Sequence, residues 1–215
     1  MIRLFVALSF PEEIRQSLVA LCAGVPGARW VNPDQFHLTL RFIGEVDGRT
    51  ARTVSDALST ITMPDFDLEL FGVGTFGDKR KANSLWAGVR PNAALNRLQE
   101  KVDNAVLRSG ILPDRRKFSP HVTLARLNNA PFDRIGAYLS HHALYAAPRL
   151  RCDRFTLYSS FLSSSGAIYT PEQVYRLDGG IAEDAEHDWM ADEAEAWDQA
   201  HGDWDKAEAA AYGAE

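Results

Sequence analysis

With 215 residues, 46% of them hydrophobic, the chain is long enough to bury one sizeable core as a single domain or as two small lobes. Its net charge of −6 hides two regions: residues 179–215 hold 12 acidic residues against Lys206 alone, whereas residues 1–178 hold 22 basic against 17 acidic and stand at +5, which favours an anionic ligand only weakly. No stretch approaches the ~18 apolar residues of a membrane span, and two distant cysteines, Cys22 and Cys152, suggest neither a disulfide framework nor a zinc site, so a soluble, cytoplasmic, monomeric protein with reduced thiols is expected.

The apolar opening from Met1 to Phe10 is cut too short by Pro11-Glu12-Glu13 for a signal peptide, and its β-branched, alternating pattern predicts a first strand over residues 3–10. Pro11 and the two glutamates then open a helix, with Ile14, Leu18, Leu21 and Cys22 as its apolar stripe and Gly24 as its end. Strands are predicted at 37–44, 66–76, 84–90, 121–127, 149–161 and 173–177, and helices at 50–61, 94–109 and 132–144, with Gly110 closing the second of these three. Strand pairs joined by short turns and alternating with helices fit an α+β protein better than a regular parallel array.

One echo stands out along this pattern. His37-Leu38-Thr39-Leu40 returns as His121-Val122-Thr123-Leu124, and six histidines with nine threonines in the whole chain make two H-x-T-L copies by chance improbable. On a strand, residues two apart share a face, so each motif sets an imidazole beside a hydroxyl while Leu38, Leu40, Val122 and Leu124 turn to a core. A single copy would read as a half-buried strand with its polar face in water. The pair suggests chemistry at phosphorus: one ring takes a proton from the attacking oxygen, the other gives one to the leaving oxygen, and the threonines hold the non-bridging oxygens.

At this point the chain resembles the two-histidine phosphoesterases, and among them the RNA 2′,3′-cyclic phosphodiesterases, also called 2′-5′ RNA ligases. The likeness spans most of residues 1–177. Besides the two motifs it rests on Arg3-Leu4-Phe5-Val6-Ala7, Trp30-Val31-Asn32-Pro33, Phe42-Ile43-Gly44-Glu45-Val46, Leu85-Trp86-Ala87-Gly88-Val89, Ser119-Pro120-His121, Leu157-Tyr158-Ser159-Ser160 and Tyr169-Thr170-Pro171. The resemblance implies a bilobal α+β fold with pseudo-twofold symmetry: two curved antiparallel sheets with outer helices, each giving one motif to a central groove. It implies hydrolysis of RNA 2′,3′-cyclic phosphate ends to 2′-phosphates, and in some members joining of RNA halves by the reverse chemistry, with no metal and no nucleotide cofactor. It carries over His37 as acid and His121 as base, with Thr39 and Thr123 on the phosphate.

Arg41 shares the parity of His37 and Thr39, so it points either to a bound phosphate or to solvent. Arg126 has the wrong parity unless the strand bulges after Leu124, but the family often has an arginine near the phosphate there. Lys79-Arg80-Lys81 and Arg115-Arg116-Lys117 are loop clusters that either follow an RNA backbone or are merely solvated. His141-His142, adjacent in sequence, do not form a metal pair and suit a helix C-terminus. Residues 1–178 are thus expected to form the catalytic domain, and 179–215 an acidic tail with Trp189, Trp197 and Trp204, helical or disordered. Two other functions remain open: a phosphodiesterase for small cyclic nucleotides, and a non-catalytic module that binds RNA or nucleotides.

Overall fold

The computed structural model describes residues 1–78, 81–163 and 166–177. Among these residues, ten strands and four helices are arranged as an α+β protein, with every strand pair antiparallel. The strands are β1 (Ile2–Ser9), β2 (Ala28–Trp30), β3 (His37–Val46), β4 (Phe66–Leu68), β5 (Leu70–Asp78), β6 (Lys81–Val89), β7 (His121–Leu127), β8 (Leu150–Cys152), β9 (Arg154–Ser163) and β10 (Gly166–Arg176). The helices are α1 (Glu12–Val19), α2 (Gly48–Ser59), α3 (Ala93–Arg108) and α4 (Phe132–His141).

The main sheet runs β10-β9-β1-β3-β7-β6-β5, with β2 added on β7. It has two halves, one built on β3 and one on β7; these two strands pair with each other only through Leu38 and Val122, and β2 of the first half adds three pairs along β7. The two expected sheets are therefore joined at the centre of the two motifs. A small ladder, β4 with β8, lies apart from this path. The order of elements repeats: β1-α1-β2-β3-α2-β4 in the first half is echoed by β6-α3-β7-α4-β8 in the second.

One face of the sheet is apolar and packs on the helices. Leu4, Val6, Leu8, Leu38, Leu85, Val122 and Leu157 share one buried core with Ile14 and Leu18 of α1, Val54 and Leu58 of α2, Leu98 and Val102 of α3, and Ile135 of α4. Burying each such side chain contributes about 1.5–3 kcal/mol. The helix starts are set locally: Asp47 accepts from the Thr50 amide at 2.7 Å and Asn92 from the Leu95 amide at 2.9 Å, each satisfying one orphan donor. At the far end of α3, Gly110 takes φ +86°, which a β-carbon would oppose. Both cysteines are free, and burial pushes the Cys152 thiol up to about 12.

Several boundaries differ from the sequence reading. Helix α1 stops at Val19 rather than near Gly24, because the Leu21 and Cys22 amides turn back to Leu18 and Val19 in tighter i to i−3 bonds. Helix α4 likewise ends at His141 rather than at residue 144. The runs 66–76 and 149–161 are each two strands, broken at Glu69 and Asp153, where the chain changes partner. Alternation records which face a residue takes and is blind to which strand lies beside it. Strand β2, three residues long, had no pattern to announce it. The cluster Lys79-Arg80-Lys81, as side chains, and the tail 179–215 lie outside the described residues. No helix among the described residues is long and apolar enough to cross a membrane.

Candidate active site

The polar face of the sheet forms one wall of a groove of about 1010 Å³, lined by His37, Thr39, His121, Thr123, Arg126, Tyr169 and others. His37 and His121 are the first residues of β3 and β7, and the Leu38–Val122 pair sets the two strands side by side. Both motifs keep the expected parity. Leu38, Leu40, Val122 and Leu124 are buried beneath, and the two histidines and two threonines are half-buried above.

The histidines are held the same way. His37 Nδ1 lies 2.7 Å from the Gln35 carbonyl, and His121 Nδ1 lies 2.7 Å from the Ser119 carbonyl. A carbonyl can only accept, so in each neutral ring Nδ1 carries the proton and Nε2 keeps the lone pair for the groove. Each carbonyl lies two residues before its histidine: Asn32 caps the turn Pro33–Gln35 on one side, and Pro120 follows Ser119 on the other.

Aromatic rings wall in both imidazoles. Phe5 lies 5.0 Å from His37 and Tyr169 meets it edge-on at 5.2 Å; Phe76 meets His121 edge-on at 4.7 Å, with Trp86 behind at 6.4 Å. No local pattern identifies these rings, because they come from four different strands and only pairing registers bring them together. Burial among them holds the pKa of both histidines below the ordinary value, against the opposing pull of the Gln35 and Ser119 carbonyls. For His37 the charge of His121 adds to the lowering, and for His121 that of Arg126 does.

The two arginines exchange the positions that simple alternation assigns. Strand β7 bulges: Ser84 and Leu85 pair with Arg126 and Ala125, but Trp86 pairs with Thr123, so Leu124 is the extra residue and Arg126 comes to line the groove. Strand β3 bulges at the equivalent Leu40, so that Arg41 pairs with Val6, a core-facing residue. Its predicted parity is thereby reversed. Arg41 borders the groove but is only 5% exposed; its Nη1 lies 3.1 Å from Asp103 of α3 and its Nη2 donates to the Leu112 carbonyl at 2.6 Å. The outward position is taken by Phe42, which is 45% exposed and lines the groove. Arg116 and Lys117 also line the groove. His141 and His142 meet edge to face, with ring centroids 4.7 Å apart, at the end of α4 and are not among the groove's lining residues.

A sequence model of the family described as LigT like Phosphoesterase matches residues 8–86 and 88–169, so that each matched segment contains one motif. An RNA 2′,3′-cyclic phosphodiesterase of Geobacillus stearothermophilus is 34% identical over 136 residues, 60% of this chain and 43% of that protein, so the match spans less than half of the relative's length. One of Thermotoga maritima is 28% identical over 187 residues, 83% of this chain and 97% of that protein. Among solved structures, Escherichia coli LigT complexed with 3′-AMP is 30% identical with a TM-score of 0.67, covering 82% of this chain and 98% of that one. Matched in sequence on both sides of the Leu38–Val122 junction and in fold over nearly the whole of a solved member, the chain belongs to the LigT-like phosphoesterases.

Proposed function

We propose that the protein hydrolyses the 2′,3′-cyclic phosphate at an RNA end to a 2′-phosphate, with His37 as acid and His121 as base. The observation that supports this most directly is the pair of backbone-pinned imidazoles on one groove wall, each with Nε2 left for a substrate and each beside a threonine hydroxyl. His121 Nε2 takes a proton from water as its oxygen attacks phosphorus; the bond from phosphorus to the 3′ oxygen breaks on the opposite side, and protonated His37 gives its proton to that oxygen. Thr39 and Thr123 donate to the non-bridging oxygens, and Arg126 offsets the charge that builds on them. In the reverse sense, a 5′-hydroxyl in place of water would yield a 2′-5′ linkage.

The Geobacillus and Thermotoga relatives are named for this activity. The compact unit Met1–Gly180 holds every residue of the groove and supports reading residues 1–178 as the catalytic domain, with 179–215 as an appended tail. Free thiols, Cys152 buried and Cys22 half-buried, suit a cytoplasmic compartment.

An oligoribonucleotide ending in a 2′,3′-cyclic phosphate, incubated with the protein in excess EDTA, should become a 2′-phosphate end. A 3′-phosphate product, or turnover confined to small cyclic nucleotides, would reject the reading. His37→Ala and His121→Ala should each lose several orders of magnitude in rate, and the double variant should be scarcely slower than the worse single. A nitrophenyl phosphodiester, whose leaving group needs no proton, should partly rescue His37→Ala alone; rescue of His121→Ala instead would exchange the two roles.

A further inference from the structure

The internal symmetry of the fold is broken at one place beside the groove. In the first half, the segment between α1 and β3 contains β2, which pairs with β7 from the other half through Ala28–Leu127, Arg29–Arg126 and Trp30–Ala125, and the Val31 amide continues the seam to the Leu124 carbonyl at 2.8 Å. The equivalent segment of the second half, residues 111–119 between α3 and β7, forms no ladder with β3, whose edge beyond Leu38 has no strand partner on that side among the described residues. A side chain takes the place of that ladder. Arg41, at the position that Ala125 occupies in β7, donates to the Leu112 carbonyl at 2.6 Å. Its Nη1 faces Asp103 at 3.1 Å without the alignment of a hydrogen bond, and its Nε is buried without an acceptor, so the bond to Leu112 is its one directional contact.

What this clamp holds is basic. Arg115, Arg116 and Lys117 are exposed, and the Arg116 guanidinium is oriented by a two-pronged bond to Asp114 at 3.1 and 2.8 Å. Arg116, Lys117 and Phe118 line the groove, and the next residue, Ser119, holds His121. The groove's volume of about 1010 Å³ lies at the top of the ~300–1,000 Å³ range of small-molecule pockets, leaving space beyond one nucleotide. Arg116 and Lys117 line the same groove as the imidazoles, where a strand leading to a cyclic end can meet them.

We propose that segment 112–118 is the surface on which the RNA strand leading to the cyclic end lies, with Arg115, Arg116 and Lys117 facing its phosphodiesters and Arg41 as the positioning residue that holds the segment against β3. This rests on the RNA-end reading above. The segment distinguishes a polynucleotide from a mononucleotide, since only the former has phosphates to meet it, and each phosphate neutralised on a single strand adds about 0.7 to the salt slope of binding.

The experiment compares a six-nucleotide RNA 2′,3′-cyclic phosphate with cytidine 2′,3′-cyclic phosphate. In the wild-type protein, kcat/KM for the oligonucleotide should exceed that for the mononucleotide and fall steeply with salt. A combined Arg115→Ala, Arg116→Ala, Lys117→Ala variant should lower this ratio at least tenfold, and the salt slope should shrink by about 2. Arg41→Met should lower the same ratio through KM for the oligonucleotide, with kcat changed by less than about threefold; the basic-residue variant leaves the buried clamp in place and carries the test should Arg41→Met fail to fold. Wild-type protein that cleaves both substrates with no length preference, or a ratio and salt slope that survive the triple substitution, would overturn the proposal. Turnover of neither substrate would reject the RNA-end reading itself and this inference with it.

Discussion

Each imidazole of the groove is fixed by one backbone bond and by the rings around it, and this sets a pH dependence. Burial lowers both histidine pKa values, so each ring loses its proton below the usual value of about 6.5. Activity in the free enzyme needs His37 protonated and His121 neutral, so both limbs of the kcat/KM profile should fall below about pH 6.5, with the maximum between them. The Arg126 charge helps to hold His121 down; Arg126→Gln should therefore move the limb that His121 governs to higher pH as well as slow the reaction. A profile in which neither limb moves, measured across pH 4 to 9, would separate Arg126 from the base. Arg126 and Arg41 also show how one inserted residue changes what a side chain does, since the bulges at Leu124 and Leu40 bring the first to the groove and bury the second.

At the level of elements, the β5–β6 pair builds the wall behind His121 by placing a large ring over an absent side chain. Gly74 pairs with Trp86, and a β-carbon at residue 74 would stand 2.3 Å from the indole ring. The indole in turn lies 5.4 Å from Phe76, the ring that meets His121 edge-on. Gly74→Ala should push Trp86 out of place, cost about 1–3 kcal/mol by overpacking, and lower kcat by disturbing the His121 wall. Denaturant unfolding measures the first effect and single-turnover kinetics the second. A variant with wild-type stability and rate would show that the indole yields without consequence. Phe76 and Trp86 lie in runs already legible as strands, but nothing in those runs tells which histidine they meet.

At the scale of the whole molecule, the described residues end on Leu177, which is fully buried and whose amide donates to the Asp153 carbonyl at 2.7 Å. All the described strands and all groove residues precede it. A stop after Leu177 should therefore leave a folded enzyme with its activity on cyclic ends, checked by the unfolding midpoint and by kcat/KM. Loss of either would assign the acidic, tryptophan-bearing tail a part in the fold or the reaction. Its two motif-bearing halves share one core beneath the sheet; their central strands β3 and β7 meet at a single pair, and β2 and the β4–β8 ladder make the other strand pairings between them.

The sequence by itself determined the α+β class, most strand and helix positions and the two H-x-T-L faces, because periodicity and repeated motifs are local and need no partner to be read. It also carried the family, through residues in matching order. The tertiary structure alone decided that the two sheets join at Leu38 and Val122, that Phe5, Tyr169, Phe76 and Trp86 enclose the imidazoles, and that Arg126 faces the groove while Arg41 is buried against Asp103. Each of these depends on strand register, which is set by contacts between residues far apart in the chain, and a bulge of one residue reverses the face of everything after it.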